Sequence, residues 1–303
     1  MGRILYLECA SGISGDMTAA ALLDLGADQY AVRAALESLP VEGFEVRISR
    51  VVKSGLDVCD FDVVLDAAHE NHDHDMAYLH GDGFARTTGR GHSHDHAHVH
   101  DCGRRVADDS DHACDRNRDR NHAHAHDHAH ERRGLADVMR VIDAADMTSR
   151  AKDVARRIFE VLAEAEARAH GVPVEQVHFH EVGAVDSIAD VVAIAVAFDS
   201  LAVEDVAVCE LAEGRGTVRC QHGVIPVPVP AVVNIVSRYG IALKLLDVEG
   251  ELVTPTGAAV VAALRTEDSL PGRFSVVRVG MGAGKRDYAT AGILRAMLID
   301  SLD

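Results

Sequence analysis

Apolar positions along this chain fall into short strand-like runs and helical stripes that alternate from one end to the other. Arg3–Glu8 reads as a buried strand, Cys9–Gly15 as a small-residue turn, and Asp16–Leu25 as a helix closed by Gly26. A second helix is predicted over Gln29–Leu39. Phe44–Lys53 and Leu56–Leu65 are β-rich runs joined through Ser54-Gly55, which predicts a hairpin. Further on, helices are predicted over Leu135–Ala145 and Lys152–His170, the latter with Val154, Ile158, Val161, Leu162 and Ala165 on one face. Ser187–Leu201 is very apolar and predicts a helix packed inside the protein. Strands are predicted over Val206–Leu211, Ile241–Leu245, Phe274–Val279 and Leu294–Ile299, and helices over Ala231–Ser237 and Gly257–Leu264. The alternation predicts an α/β fold, with mixed α+β as the neighbouring class, and there is no internal repeat.

The pattern fails between His69 and Arg133. Those 65 residues hold six from the set Ile, Leu, Val, Met, Phe and Tyr, too few to offset the entropy of ordering, so a disordered insertion is predicted. The expected organisation is therefore an N-terminal α/β part at 1–68, the insertion at 69–133, and the rest of the α/β core at 134–303. The insertion holds 15 of the 19 histidines. Ten of them alternate in two blocks, His92, His94, His96, His98 and His100, then His122, His124, His126, His128 and His130. Imidazoles at every second position, mixed with Asp and flanked by Cys102 and Cys114, make a ligand supply for nickel, zinc or copper. Metal buffering or delivery is the expected role, against a plain solvated spacer.

Charge and composition then narrow the classes. With 30 Lys+Arg against 48 Asp+Glu the formal net charge is −18, which argues against nucleic acid as a partner. Absence of Trp and 4% aromatics weaken any case for a base-stacking platform. No apolar run is long enough for a membrane span, and the first residues are too short for a secretory signal. Six cysteines without a CxxC pair fit reduced thiols, so a cytoplasmic location is expected.

Four clusters carry candidate chemistry. Ser11-Gly12-Ile13-Ser14-Gly15-Asp16 joins a strand to a helix, where small residues and a helix N-terminus suit an anion. Ser14 fits equally as a helix cap, and Asp16 as a metal or base carboxylate. In Val177–Asp190, His178 and His180 on an extended segment would share a face, the start of a two-histidine metal site. Glu181 and Asp186 would complete it or act as the base, with Asp190 one turn further on. The competing reading has Asp186 as a helix cap. Cys220 and His222 precede Ile225-Pro226-Val227-Pro228-Val229-Pro230, whose prolines stiffen an extended segment. Cys220 is a candidate soft ligand and His222 a candidate base. Finally, Thr254 and Thr256, with Gly257, open a helix, Thr256 as its natural cap. A glycine-rich turn, Gly280–Gly284, brings Lys285 and Arg286 toward a phosphate, or is a plain turn.

These motifs taken together resemble the LarC nickel-insertion protein family. GISGDM, VHFHEVGAVDSIAD, CQHGVIPVPVPA and ELVTPTGAA occur in the family's order, with a histidine-rich insertion before the long helix. The resemblance implies a nickel-inserting metallochelatase of the lyase class. Its substrate is pyridinium bisthiocarboxylic acid mononucleotide, its product the nickel-pincer cofactor, its recipient a lactate-racemase-type apoenzyme. It also implies CTP hydrolysis with Mn or Mg, through a C-terminal domain this sequence does not contain, and hence a separate C-terminal chain as partner. With it, Ser14, Gly15, Thr254, Thr256 and Gly257 are expected to face the mononucleotide, and His178 and His180 to hold nickel. Glu181, Asp186, His222 and Asp16 are the expected catalytic residues. The alternative is a non-catalytic nickel store or metallochaperone. Whether the chain forms a homo-oligomer is left open by the residues.

Overall fold

A computed structural model describes residues 3–66, 76–80, 133–179 and 185–303. The ten alternating histidines, with His180 and Glu181, lie outside the described residues. The fold is mixed α/β, as the alternation predicts. In chain order it begins with β1 (Ile4–Glu8), α1 (Gly15–Asp24), α2 (Gln29–Glu37) and the hairpin β2 (Phe44–Lys53) and β3 (Leu56–Leu65). Next come α3 (Met76–His80), β4 (Arg133–Gly134), α4 (Leu135–Ala144), α5 (Ser149–His170), β5 (His178–Phe179) and α6 (Val185–Ser200). Then follow β6 (Asp205–Ala207), β7 (Leu211–Arg215), β8 (Thr217–Cys220), β9 (Gly223–Pro226) and α7 (Pro230–Tyr239). The chain continues with β10 (Leu243–Glu249), α8 (Pro255–Leu264), β11 (Phe274–Ala283) and β12 (Ile293–Ser301).

Six strands form one sheet in the order β2-β3-β11-β12-β1-β6. β1 runs antiparallel to β12 and parallel to β6, so the sheet is mixed. α1 lies against β11, β3 and β12, and α6 packs on α1, α2 and α5. Residues Val191–Ala197 of α6 are buried on all sides, as its very apolar sequence predicts. α5, α7 and α8 pack on one another beyond this layer.

Three local readings are corrected. Gly280–Ala283 is not a turn but the end of β11, because a Cβ on Gly280 or Gly282 would run into the backbone of α1. The glycines are what lets the helix lie on the strand. The Pro-rich segment does begin with ladder pairing: β8 and β9 form a hairpin in which Thr217 faces Pro226. Pro226 sits at the strand's end, where a missing N–H does least harm. Within the expected insertion, Met76–His80 is helical and Leu79 is buried at 5% exposure. Met76, Tyr78 and Leu79 are three of that stretch's six large apolar residues, concentrated in one turn.

Candidate functional site

Residues 9–14 leave the end of β1 and cross to α1 through Gly12, whose φ of +87° suits glycine. On the way Ile13 N–H donates to the Leu252 carbonyl, and Thr254 N–H donates to the Ile13 carbonyl, both at 3.0 Å. This cross-link sets the N-termini of α1 and α8 side by side. Gly257 makes it possible, since a Cβ there would run into the Ile13 carbonyl oxygen. The N-terminus of α6 faces the same space, and the three helix starts border a cleft of about 360 Å³. That volume suits a small molecule.

Ser14, Gly15, Asp16, Asp186, His222, Thr254 and Thr256, all expected site residues, line it. Ser14 takes the N-cap position but turns its hydroxyl to the Asp16 carboxylate instead of to the helix backbone. α8 is capped by Thr254, which accepts from Gly257 N–H at 3.1 Å, and Pro255 fills its first turn. Thr256, expected as the cap, is a buried residue of the first turn. Asp186 lies in the first turn of α6 and faces the cleft.

Asp16 is 8% exposed, and its Oδ2 has no hydrogen-bond partner among the described residues. Next to it stands Asp190, which sequence reasoning noted but gave no role. Burial, then the charges of Asp16 and Asp186, push the Asp190 carboxyl well above the usual carboxylate range. Gly15 is small because Asp190 is there: a Cβ would meet its carboxylate. Nothing in the linear sequence shows this three-carboxylate group, because Asp16 and Asp190 meet only when α1 packs on α6.

Both expected phosphate cations line the cleft, each already held by carboxylates. Lys285 Nζ is 2.6 Å from Asp60 and 3.0 Å from Asp62. Burial opposes its charge, but these hydrogen bonds win and raise its pKa above the usual lysine value. Arg286 pairs with Glu251. Also in the cleft lining, His222 meets His170, the last residue of α5, a partner not foreseen from the sequence.

His178 is exposed and does not line the cleft, whereas its neighbour Phe179 is buried and does. β5 pairs with β4, Gly134 opposite His178, so the residues following the histidine-rich stretch are fixed beside the cleft wall. Leu79, on the other side of that stretch, lines the cleft as well. Among the described residues no group of three or more His, Cys, Asp and Glu is set to hold a metal ion. No helix among them is long and apolar enough to cross a membrane.

A family described as nickel insertion protein matches residues 5–302 of this chain. Three relatives are named pyridinium-3,5-bisthiocarboxylic acid mononucleotide nickel insertion protein. That of Alkaliphilus metalliredigens is 44% identical over 301 residues, covering 99% of this chain and 61% of the relative. That of Acetivibrio thermocellus is 32% identical, covering 98% and 60%, and that of Geobacillus kaustophilus 34%, covering 94% and 56%. The chain thus spans about three-fifths of the length of the curated relatives it matches. No solved structure matches it.

Proposed function

The chain belongs to the nickel insertion protein family, and from that premise we propose that it inserts nickel into pyridinium bisthiocarboxylic acid mononucleotide as a lyase-class metallochelatase. One observation carries the proposal: segments from all four motifs of the resemblance, far apart in sequence, border a single cleft. A nickel store needs the histidine blocks alone and leaves that cleft unexplained.

Insertion breaks a ring C–H bond and forms a nickel–carbon bond. Nickel(II) keeps its oxidation state, the two thiocarboxylate sulfurs join it, and one proton leaves. The cleft suits such a substrate. Three helix N-termini offer backbone N–H groups and partial positive charge to its anionic groups. Ser14, Gly15, Thr254 and Thr256 surround the α1 and α8 starts and are proposed to receive the phosphate end. The carboxylates Asp16, Asp186 and Asp190 are proposed to take the proton, Asp190 first, because a raised pKa makes a better base near neutral pH. Histidines of the 69–133 stretch are proposed to gather nickel, and His178 with His180 to relay it, Glu181 beside them. CTP with Mn or Mg and a separate C-terminal chain are proposed to complete the reaction, and a lactate-racemase-type apoenzyme to accept the product.

Incubating the purified chain with mononucleotide, nickel and Mg-CTP, with and without a separately made C-terminal chain, tests this. The expected product gains one nickel and loses one proton by mass. Asp190→Asn is expected to bind mononucleotide normally while the insertion rate falls about 100-fold or more. Absence of metallated product in both arms, or full activity of Asp190→Asn, would count against the proposal and its base respectively.

A further inference from the structure

His170 ends α5, the longest helix among the described residues, and His222 stands in the two-residue turn between β8 and β9. Their Nε2 atoms are 3.3 Å apart, with ring centroids at 4.8 Å and planes inclined by 59°. Glu166, one turn before His170, places a carboxylate oxygen 3.4 Å from the same Nε2. The hairpin tip is held by the His222 backbone N–H, which donates to Cys220 Sγ at 3.4 Å. All four residues line the cleft.

Two imidazole nitrogens on one first-row divalent ion, each about 2.0–2.1 Å from it, stand roughly 2.8–3.4 Å apart at octahedral to tetrahedral angles. The observed separation of 3.3 Å falls within that range. The C-terminal end of α5 also carries partial negative charge, which favours a cation at its last turn. Imidazole suits nickel, and the Glu166 carboxylate beside the same Nε2 adds negative charge where the cation would sit.

We infer that His170 and His222 form the nickel seat of the cleft, the place from which the substrate takes the metal. The inference rests on the nickel-insertion reading for the identity of the cargo. A two-imidazole seat leaves most coordination positions open. The two substrate sulfurs can therefore bind nickel before the imidazoles release it, whereas a closed protein ligand set would resist transfer. Cys220 braces the hairpin and is not needed as a ligand. His222 thereby leaves the role of base to the carboxylates Asp16, Asp186 and Asp190.

Carbethoxylation of histidines with diethyl pyrocarbonate, read peptide by peptide by mass spectrometry, separates this seat from the histidine-rich stretch in the intact chain. Nickel is expected to slow labelling of His170 and His222 several-fold and together. In His170→Ala, His222 is expected to lose that protection while the peptides of the 69–133 stretch keep theirs. Labelling of the pair that ignores nickel at ratios protecting the 69–133 histidines would overturn the seat, leaving a plain hydrogen-bonded pair. Joint protection without metallated product in the insertion assay would uphold the seat and overturn the insertion reading. A folded His170→Ala/His222→Ala chain that metallates at the wild-type rate would overturn the transfer role and leave insertion standing.

Discussion

Glu213 is fully buried, and one of its oxygens accepts from three backbone N–H groups, those of Gly214, Leu252 and Val253, at 2.8, 2.7 and 3.2 Å. It thereby holds the strand-like 251–254 stretch that brings Glu251 and Thr254 to the cleft. Burial outweighs these hydrogen bonds and pushes its pKa up to about 7. The folded state thus binds a proton that the unfolded chain has lost above the ordinary glutamate value. The resulting stability is complete below about pH 4.5 and is lost as the pH rises through 7, amounting to about 3 kcal/mol. Glu213→Gln should flatten this part of the profile in urea unfolding at pH 5 to 8; a slope equal to the wild type's would refute the assignment. Sequence reading passed over Glu213, because a glutamate in a short strand looks like any solvated one. It missed His170 for a similar reason. The helical period correctly ends α5 there, but only the hairpin arriving from β8 gives its imidazole a partner.

Elements were more legible than their partners. The β-rich runs on either side of Ser54-Gly55 predicted β2, β3 and their turn to the residue. Helices α4 and α6 were likewise found to within two residues, from stripes and apolar runs that no other element satisfies. β11 was cut short, because Gly280, Gly282 and Gly284 look like a turn when the helix lying on them is out of view. Gly282→Ala should therefore destabilise the protein by about 1–3 kcal/mol, the usual cost of overpacking, since Met17 and Ala21 of α1 present backbone atoms to the new methyl. Thermal melting would show it, and an unchanged midpoint would mean that α1 can slide on the strand.

At the scale of the molecule, the 69–133 stretch is proposed as metal supply and the remainder as the working core, with one refinement from α3. Removing residues 81–132 and bridging the gap with a Gly-Ser linker should leave the melting transition cooperative and remove most of the nickel capacity. Removing 69–133 should in addition cost roughly 2 kcal/mol, the burial of Leu79, and the His80–Tyr288 contact at 3.1 Å. Calorimetry and nickel titration on the two deletions compare these outcomes directly; equal stability would deny α3 any structural part.

The sheet order has a consequence for how the molecule comes into being. β12 is the seam between β2-β3-β11 on one side and β1-β6 on the other. The cleft draws Asp62 and Lys285 from the first side and Ser14 and Asp16 from the second. On a ribosome, β1 emerges well before either neighbour: β6 follows some 200 positions later and β12 some 290, Ile4 pairing with Asp205 and with Ile299. Such sequence-distant pairing makes for slow closure and leaves strand edges open meanwhile. On the proposed reading, a nascent chain exposes its histidines to nickel long before the cavity exists, so metal acquisition would precede catalytic competence within the birth of a single molecule.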